Sequence, residues 1–105
     1  MSSALQDPAV FLIQPIHPDN EPGSKSVSGD KATKVTFINN RTNPVQVWWL
    51  NYEGKRVSYG SVAGKGGIKE QDTYITHPWV LVDESSQAVL GIYHPSARPG
   101  RVILL

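Results

Sequence analysis

The side chains best suited to acid–base or metal chemistry in this 105-residue chain are three histidines. His17, His77 and His94 do not have the short spacings that metal ligands need, and the chain contains no cysteine. Without cysteine there are no disulfides, Cys-ligated zinc sites, iron–sulfur clusters or catalytic thiols in the chain. The sequence therefore predicts neither a metal nor any other cofactor.

The remaining catalytic patterns are incomplete. The loop Gly64–Gly67 lacks the length and the terminal Lys-Ser/Thr of a phosphate-binding loop, and it is typical of a hairpin connection. Ser85-Ser86 does not form part of a nucleophile-elbow motif. Asp83-Glu84 is typical of a solvated turn, and the sequence places no partner carboxylate beside it. We therefore expect a protein that is not an enzyme and has no catalytic residues.

Two adjacent tryptophans indicate binding rather than catalysis. Because side chains alternate across a strand, Trp48 and Trp49 must project to opposite faces. One indole packs in the core with Leu50 or Val47, and the other lies on the outer face or at the rim of the fold. A tryptophan outside the core is either a binding platform or is partly covered by a loop.

A second aromatic segment, residues 74–79, contains a histidine. Pro78 lacks a backbone donor, which places it at a strand start or edge and favours an extended backbone at His77. His77 and Trp79 are two residues apart and so project to the same face of a regular strand. A lone histidine is more often structural than functional, but the neighbouring aromatic residues favour a functional role.

Short strands must position these aromatic side chains. From Lys34 onward apolar and polar residues alternate, and turns rich in Gly, Pro, Asn and Asp separate the apolar stretches. The predicted strands cover residues 35–39, 45–51, 55–62, 68–74, 79–82, 88–93 and 101–105. No stretch of ten residues has a helical period. Seven short strands predict an all-β fold, either a β-sandwich or a small barrel.

The N-terminal part of the chain has a different composition. Residues 16–34 are rich in Pro, Gly, Ser and charge, which is typical of a linker or irregular coil. We expect residues 1–24 to form a partly disordered N-terminal segment, poorly ordered over residues 16–24, and residues 25–105 to form the domain. The apolar stretch Ala9–Ile13 either adds an edge strand to this domain or belongs to a neighbouring module.

Charge and hydropathy exclude several kinds of partner. Ten Lys and Arg against nine Asp and Glu give a net charge of +1, and the basic residues are scattered, so we expect no nucleic-acid binding. No apolar run approaches the ~18 residues of a membrane span. Ala9–Ile13 has no basic residue before it, so we expect no signal peptide and no membrane partner. These features, with the lack of cysteine, favour an intracellular location, cytoplasmic or nuclear.

An ordered set of residues resembles the β domain of the von Hippel–Lindau tumour suppressor family. The set consists of Val35-x-Phe37-x-Asn39, Trp49-Leu50-Asn51-x-x-Gly54, Tyr59, and His77-x-Trp79 followed by Asp83. The likeness covers roughly residues 25–105, includes a weaker match at residues 26–28, and has one residue inserted between Tyr59 and His77. Each motif alone is common, whereas the ordered set with near-matching spacings is specific.

The resemblance implies a seven-stranded antiparallel β-sandwich that binds 4-hydroxyproline in a peptide or protein partner. The family's pocket contains two Trp, one Tyr, one Ser and one His. Carried over to this chain, these positions are Trp49, Tyr59, Thr73, His77 and Trp79. Thr73 replaces the serine and keeps its hydroxyl. Trp49 is then the pocket indole, and Trp48 with Leu50 faces the core.

The chain also departs from the family. It stops directly after the last predicted strand, without the helical domain that docks elongin C in the best-known member, so we expect no elongin C docking. Gly60 stands where the family has Pro, and Asp30 where it has Arg. The peptide partner therefore need not be the hypoxia-inducible factor segment.

Two other functions remain open at this stage. A carbohydrate-binding β-sandwich would stack Trp49, Tyr59 and Trp79 on sugar rings. A structural protein-interaction domain would instead bury most of its aromatic side chains. Hydroxyproline recognition predicts that these three residues converge with Thr73 and His77 on one concavity, with His77 as a neutral hydrogen-bond acceptor.

Overall fold

The computed structural model of the protein describes residues 11–105. They form two β-sheets that pack face to face. The strands are β1 (Ala32–Asn39), β2 (Val45–Leu50), β3 (Arg56–Val62), β4 (Gly67–Tyr74), β5 (Trp79–Asp83), β6 (Val89–Tyr93) and β7 (Gly100–Leu104). One sheet has the strand order β4-β1-β7, and the other has the order β3-β2-β5-β6. The predicted all-β sandwich of seven strands is confirmed.

Strand direction differs from the prediction at one pair. All neighbouring strands are antiparallel except β1 and β7, which pair in parallel from Val35 opposite Gly100 to Asn39 opposite Leu104. The chain reaches β7 from β6 in the other sheet rather than from β1 through a hairpin. A crossover between sheets permits a parallel neighbour, whereas a tight hairpin does not.

The main core lies between the two sheets and decides which tryptophan faces it. The buried cluster includes Phe37 of β1 and Val47 of β2, so both sheets contribute to it, and Trp49 packs against this cluster. Trp48 points to the opposite face, where it stays half-buried against a smaller cluster around Leu50. The two indoles are on opposite faces as predicted. The prediction that Trp48 would be buried on the core face is wrong.

The smaller cluster explains this difference. Its buried members Leu50, Val80, Val82 and Ile92 all come from β2, β5 and β6 of the four-stranded sheet. It therefore lies on the outer face of that sheet, away from β1 and β7. Leu50 is fully buried, as predicted, but in this second cluster.

Residues 11–16 join the edges of both sheets. Leu12 forms a parallel bridge with Arg101 in β7, and Ile16 forms an antiparallel bridge with Ile92 in β6. Ile13, only 9% exposed, belongs to the main core. The described part of the apolar stretch thus adds to the edge of the domain. Residues 9 and 10 of that stretch lie outside the described residues.

The segment predicted as irregular coil contains a 3₁₀ helix over Pro18–Gly23 that packs against β6. The His17 side chain accepts a hydrogen bond of 3.1 Å from the Asp19 backbone at its start. Proline at the first helical position is compatible with this geometry because it has no N–H to satisfy. The expected partial disorder of residues 1–24 stays a prediction, and residues 1–10 lie outside the described part.

No helix among residues 11–105 has the length and apolar character that a membrane span requires.

A paired carboxylate ties this 3₁₀ helix to β3. Glu21 accepts two hydrogen bonds of 2.7 Å from Arg56 Nε and Nη2. The hydrogen bond from Arg56 lowers the pKa of Glu21, against the opposing effect of desolvation. Because the pKa is lower in the folded state, the pair stabilises the fold above the unfolded pKa. That stabilisation is lost as the pH falls through the folded pKa of Glu21.

Glu21→Gln should therefore lower the free energy of unfolding at pH 7 by about 1 kcal/mol, the order expected for a bidentate, partly exposed pair. Chemical denaturation measures this difference. Glu53→Gln is the control, since Glu53 is 76% exposed and 4.0 Å from Lys55. Equal effects of the two substitutions would contradict the role given to Glu21.

Candidate functional site

The structure brings all five predicted site residues together. A cavity of about 180 Å³ is lined by Trp49, Tyr59, Thr73, His77 and Trp79, with Asp72 and Tyr74 beside them. These residues come from β2, β3, β4, β5 and the β4–β5 loop, so both sheets contribute and the cavity lies at the rim between them. A larger cavity of about 320 Å³, beside residues 12–15 and Arg41, contains none of the five.

Trp49 is held by a buried serine. Its indole Nε1 donates to Ser26 Oγ over 2.8 Å, and Ser26 Oγ donates to the Leu50 carbonyl over 2.6 Å. Ser26 is only 2% exposed. Thr76 anchors the same segment, since its hydroxyl donates to the Ser28 carbonyl and accepts from the Ser28 N–H, both over 2.8 Å. The indole N–H is thus already satisfied, and Trp49 offers a ligand its ring.

A β-bulge aims Tyr59 at the cavity. On β2, Trp48 pairs with Ser58 and Gln46 pairs with Ser61. Two residues of β3, Tyr59 and Gly60, therefore lie opposite the single β2 residue that separates Gln46 from Trp48. Gly60 has a φ of 87°, which proline cannot adopt. Bulges commonly redirect a side chain beside a binding site. Gly60, where the family has Pro, therefore adopts a backbone conformation beside the cavity that proline could not adopt.

Thr73 and Trp79 form the buried polar contact of the cavity. The Trp79 indole Nε1 donates to Thr73 Oγ1 over 3.0 Å. Trp79 is 2% exposed and Thr73 is 4% exposed. Tyr59 contacts Trp79 edge-on, with ring centroids 5.1 Å apart. Because the Thr73 oxygen accepts from the indole, its hydroxyl proton can be donated to a ligand.

His77 forms the opposite side of the cavity. Its ring stacks on Trp49, with centroids 5.1 Å apart and planes 24° from parallel. Its Nε2 lies 2.9 Å from the Tyr52 hydroxyl in a hydrogen bond that either group can donate. Burial lowers the pKa of His77, and a hydrogen bond with the Ser28 backbone partly opposes that shift. The lowered pKa favours the neutral imidazole at pH 7.

Four residues of the site were absent from the sequence-based prediction. Asp72 and Tyr74 line the cavity, while Ser26 and Tyr52 hold Trp49 and His77. Alternation gives no signal for the first two, because both flank Thr73 and project to the other side of β4. Ser26 lies in the weak match at residues 26–28. Tyr52 lies in a turn, where no periodicity predicts the direction of a side chain.

The site has no metal-binding geometry within the described part of the chain. Residues 11–105 contain no group of three or more His, Asp or Glu side chains that could hold a metal ion. The polar side chains of the predicted set at the cavity are instead the Thr73 hydroxyl and the His77 ring. Together with the aromatic walls they can enclose a small, mostly apolar group that carries a hydroxyl.

A two-sheet sandwich with an aromatic cavity at its rim can hold a small ligand group. The family model of the VHL beta domain matches residues 24–95, more than half of the chain. The protein therefore belongs to the VHL beta domain family, whose members are non-enzymatic domains that recognise protein partners. All five predicted site residues lie in the matched range. A comparison with curated proteins gives no match.

Proposed function

We propose that this domain binds 4-hydroxyproline in a peptide or protein partner and catalyses no reaction. One observation carries the proposal: aromatic walls from the four-stranded sheet enclose, with Thr73 of the other sheet, a cavity that holds one hydroxyl, on Thr73, and one imidazole, on His77, whose pKa is lowered by burial. Membership of a family of protein-interaction domains supports the choice of a protein partner.

The cavity matches the chemistry of a hydroxylated pyrrolidine ring. The ring is compact and apolar, so Trp49, Tyr59 and Trp79 can bury it without supplying many hydrogen bonds. Its hydroxyl needs one donor and one acceptor. Thr73 donates, because its oxygen already accepts from Trp79, and the neutral His77 ring accepts.

This pairing predicts discrimination against unmodified proline. Proline would leave the Thr73 hydroxyl proton and one His77 ring nitrogen unpaired beneath the bound ring, at about 1–3 kcal/mol for each group. Together these costs correspond to a preference on the order of 10²- to 10⁴-fold for the hydroxylated peptide. Sites built around a substrate hydroxyl reach such ratios because their own polar atoms stay unpaired when that hydroxyl is missing.

The structure favours this function over a sugar platform. A sugar platform needs indole faces open to solvent, whereas Trp79 is 2% exposed and the half-buried Trp49 has His77 stacked on its ring. A purely structural domain would have no reason to leave a cavity with Tyr59 39% exposed at its edge.

Calorimetry with two proline peptides that differ by one hydroxyl tests the proposal. A panel of hydroxyprolyl peptides is screened first, and the best binder is compared with its unmodified form and with neutral oligosaccharides. We expect at least hundredfold tighter binding of the hydroxylated peptide. Equal affinity for the two peptides, or preferential binding of an oligosaccharide, would refute hydroxyproline recognition.

Binding should also depend on pH through His77. Protonation turns its accepting nitrogen into a donor and puts a positive charge in an aromatic cavity. Affinity for the hydroxylated peptide should thus fall as the pH drops below the ordinary histidine pKa of ~6.5, since burial lowers the pKa of His77, and affinity for the unmodified peptide should change much less. Titration calorimetry from pH 5 to 8 measures both. In the control His94→Gln the pH profile should persist, since His94 also has a pKa lowered by burial but does not line the cavity. A flat profile in the wild type would contradict a neutral His77 acceptor.

A further inference from the structure

One hydrogen bond of the site comes from a residue that does not line the cavity. The Tyr52 hydroxyl lies 2.9 Å from His77 Nε2. Tyr52 follows β2 directly, and its ring stands nearly perpendicular to both neighbours, at 88° to Trp49 and 89° to His77. Tyr52 thus contacts two residues of the pocket, Trp49 and His77, while remaining 47% exposed itself.

The phenol hydroxyl acts, together with the Ser28 backbone contact, on a feature of His77 that packing cannot set, the position of its ring proton. A neutral imidazole carries a single proton, and the hydrogen bond made by one ring nitrogen decides where that proton resides. Stacking on Trp49 orients the plane of the ring but leaves both tautomers equally well packed. Hydroxyl recognition needs one tautomer only, because the ring nitrogen that meets the ligand must be unprotonated to accept.

We propose that Tyr52 is a positioning residue that accepts the Nε2 proton of His77 and so stabilises the Nε2–H tautomer, which leaves Nδ1 as the acceptor for the ligand hydroxyl. The 2.9 Å contact fits donation in either direction, and only donation from Nε2 leaves a ring nitrogen free to accept from the ligand. This inference rests on the proposed function for its consequence, though not for its geometry. It makes Tyr52 the residue that determines the specificity of the pocket for a donor group on the ligand. Tyr52 itself does not line the cavity.

The substitution Tyr52→Phe separates the hydroxyl from the ring. The phenyl group keeps the edge contacts with Trp49 and His77, and the lost hydroxyl is at a half-exposed position, so the fold should persist. Long-range ¹H–¹⁵N spectra of the histidine side chains in ligand-free protein report the tautomer of His77. We expect one tautomer, Nε2–H, in the wild type and a mixture of the two in Tyr52→Phe.

Tyr74→Phe is the matched control for the spectra. The Tyr74 ring also contacts His77, with centroids 5.0 Å apart, but its hydroxyl is not hydrogen-bonded to the imidazole. The His77 tautomer should therefore be the same in Tyr74→Phe as in the wild type. Identical His77 spectra in the wild type and Tyr52→Phe, or an Nδ1–H wild type, would overturn the proposal.

Affinity provides the second measurement. Tyr52→Phe should bind the hydroxylated peptide about threefold to tenfold more weakly, because one neutral hydrogen bond to the ligand is no longer preorganised. Its affinity for the unmodified peptide should equal that of the wild type. An equal loss for both peptides would show a general packing effect and would also overturn the proposal. If the wild type does not prefer hydroxyproline, the proposed function fails, while the tautomer spectra still decide the role of Tyr52.

Discussion

His77→Ala should weaken binding of a hydroxyprolyl peptide by about tenfold to a hundredfold and leave binding of the unmodified peptide almost unchanged. The hydroxylated ligand loses a hydrogen bond that the wild type makes, whereas the unmodified ligand never made it. Loss of the ring stacked on Trp49 affects both peptides alike and therefore cancels in their ratio. Isothermal calorimetry with both peptides measures that ratio.

Two further variants make the result specific. His94→Ala removes a histidine outside the cavity and should leave the ratio at its wild-type value. His77→Gln restores an amide oxygen that can accept a hydrogen bond, so part of the lost discrimination should return. A His77→Ala protein that still discriminates as well as the wild type would exclude His77 from hydroxyl recognition.

Thr73→Val should cause a comparable loss of discrimination and also destabilise the fold. Valine has nearly the shape of threonine but cannot donate to a ligand hydroxyl. It also leaves the buried Trp79 Nε1 without its acceptor at 3.0 Å. We expect a loss of about 1–3 kcal/mol in the free energy of unfolding, and a preference for hydroxyproline reduced by about tenfold or more. Thr73→Ser keeps the hydroxyl and should be tolerated in both measurements.

The neighbouring strand offers a matched control. Thr33 lies directly opposite Thr73 in the β1–β4 register, and its Oγ1 is buried without a hydrogen-bond partner among residues 11–105. Thr33→Val removes a hydroxyl of the same kind that satisfies nothing, so it should be neutral or slightly stabilising. If chemical denaturation shows equal losses for Thr73→Val and Thr33→Val, the bond to Trp79 is not what stabilises this region.

The two threonines also separate binding from stability. A Thr73→Val protein that is destabilised but keeps the full preference for hydroxyproline would confine Thr73 to a structural role. The opposite result, lost preference at unchanged stability, would mean that Trp79 Nε1 finds another acceptor. The expected combination of both losses follows from one oxygen that accepts from the indole while its proton points to the ligand.

Much of the fold was predictable because short strands and turns are encoded by patterns of neighbouring residues. Alternation of apolar residues and the turn residues around Gly54 and Gly66 place all seven strands close to their observed bounds. The five site residues were carried over from the resemblance to the family, because its motifs occur in the same order along this chain. Family membership over residues 24–95 agrees with them.

Contacts between distant segments were beyond such an argument. Alternation shows that Trp48 and Trp49 diverge, but only the position of the second sheet determines that Trp49 faces the main core and Trp48 the outer cluster. The same holds for the 3₁₀ helix at residues 18–23, whose composition reads as coil and which packs on β6 in the folded chain.

The sequence by itself therefore determined the strands, which depend on neighbours a few positions away, and its resemblance in ordered motifs indicated the family and the five residues around the cavity. Only the tertiary structure decided the parallel β1–β7 pair, the bulge that turns Tyr59 inward, and the contact of Tyr52 with His77. These features join segments that are distant in sequence. Such contacts depend on how two sheets pack and how a turn closes over them, and no local period records that geometry.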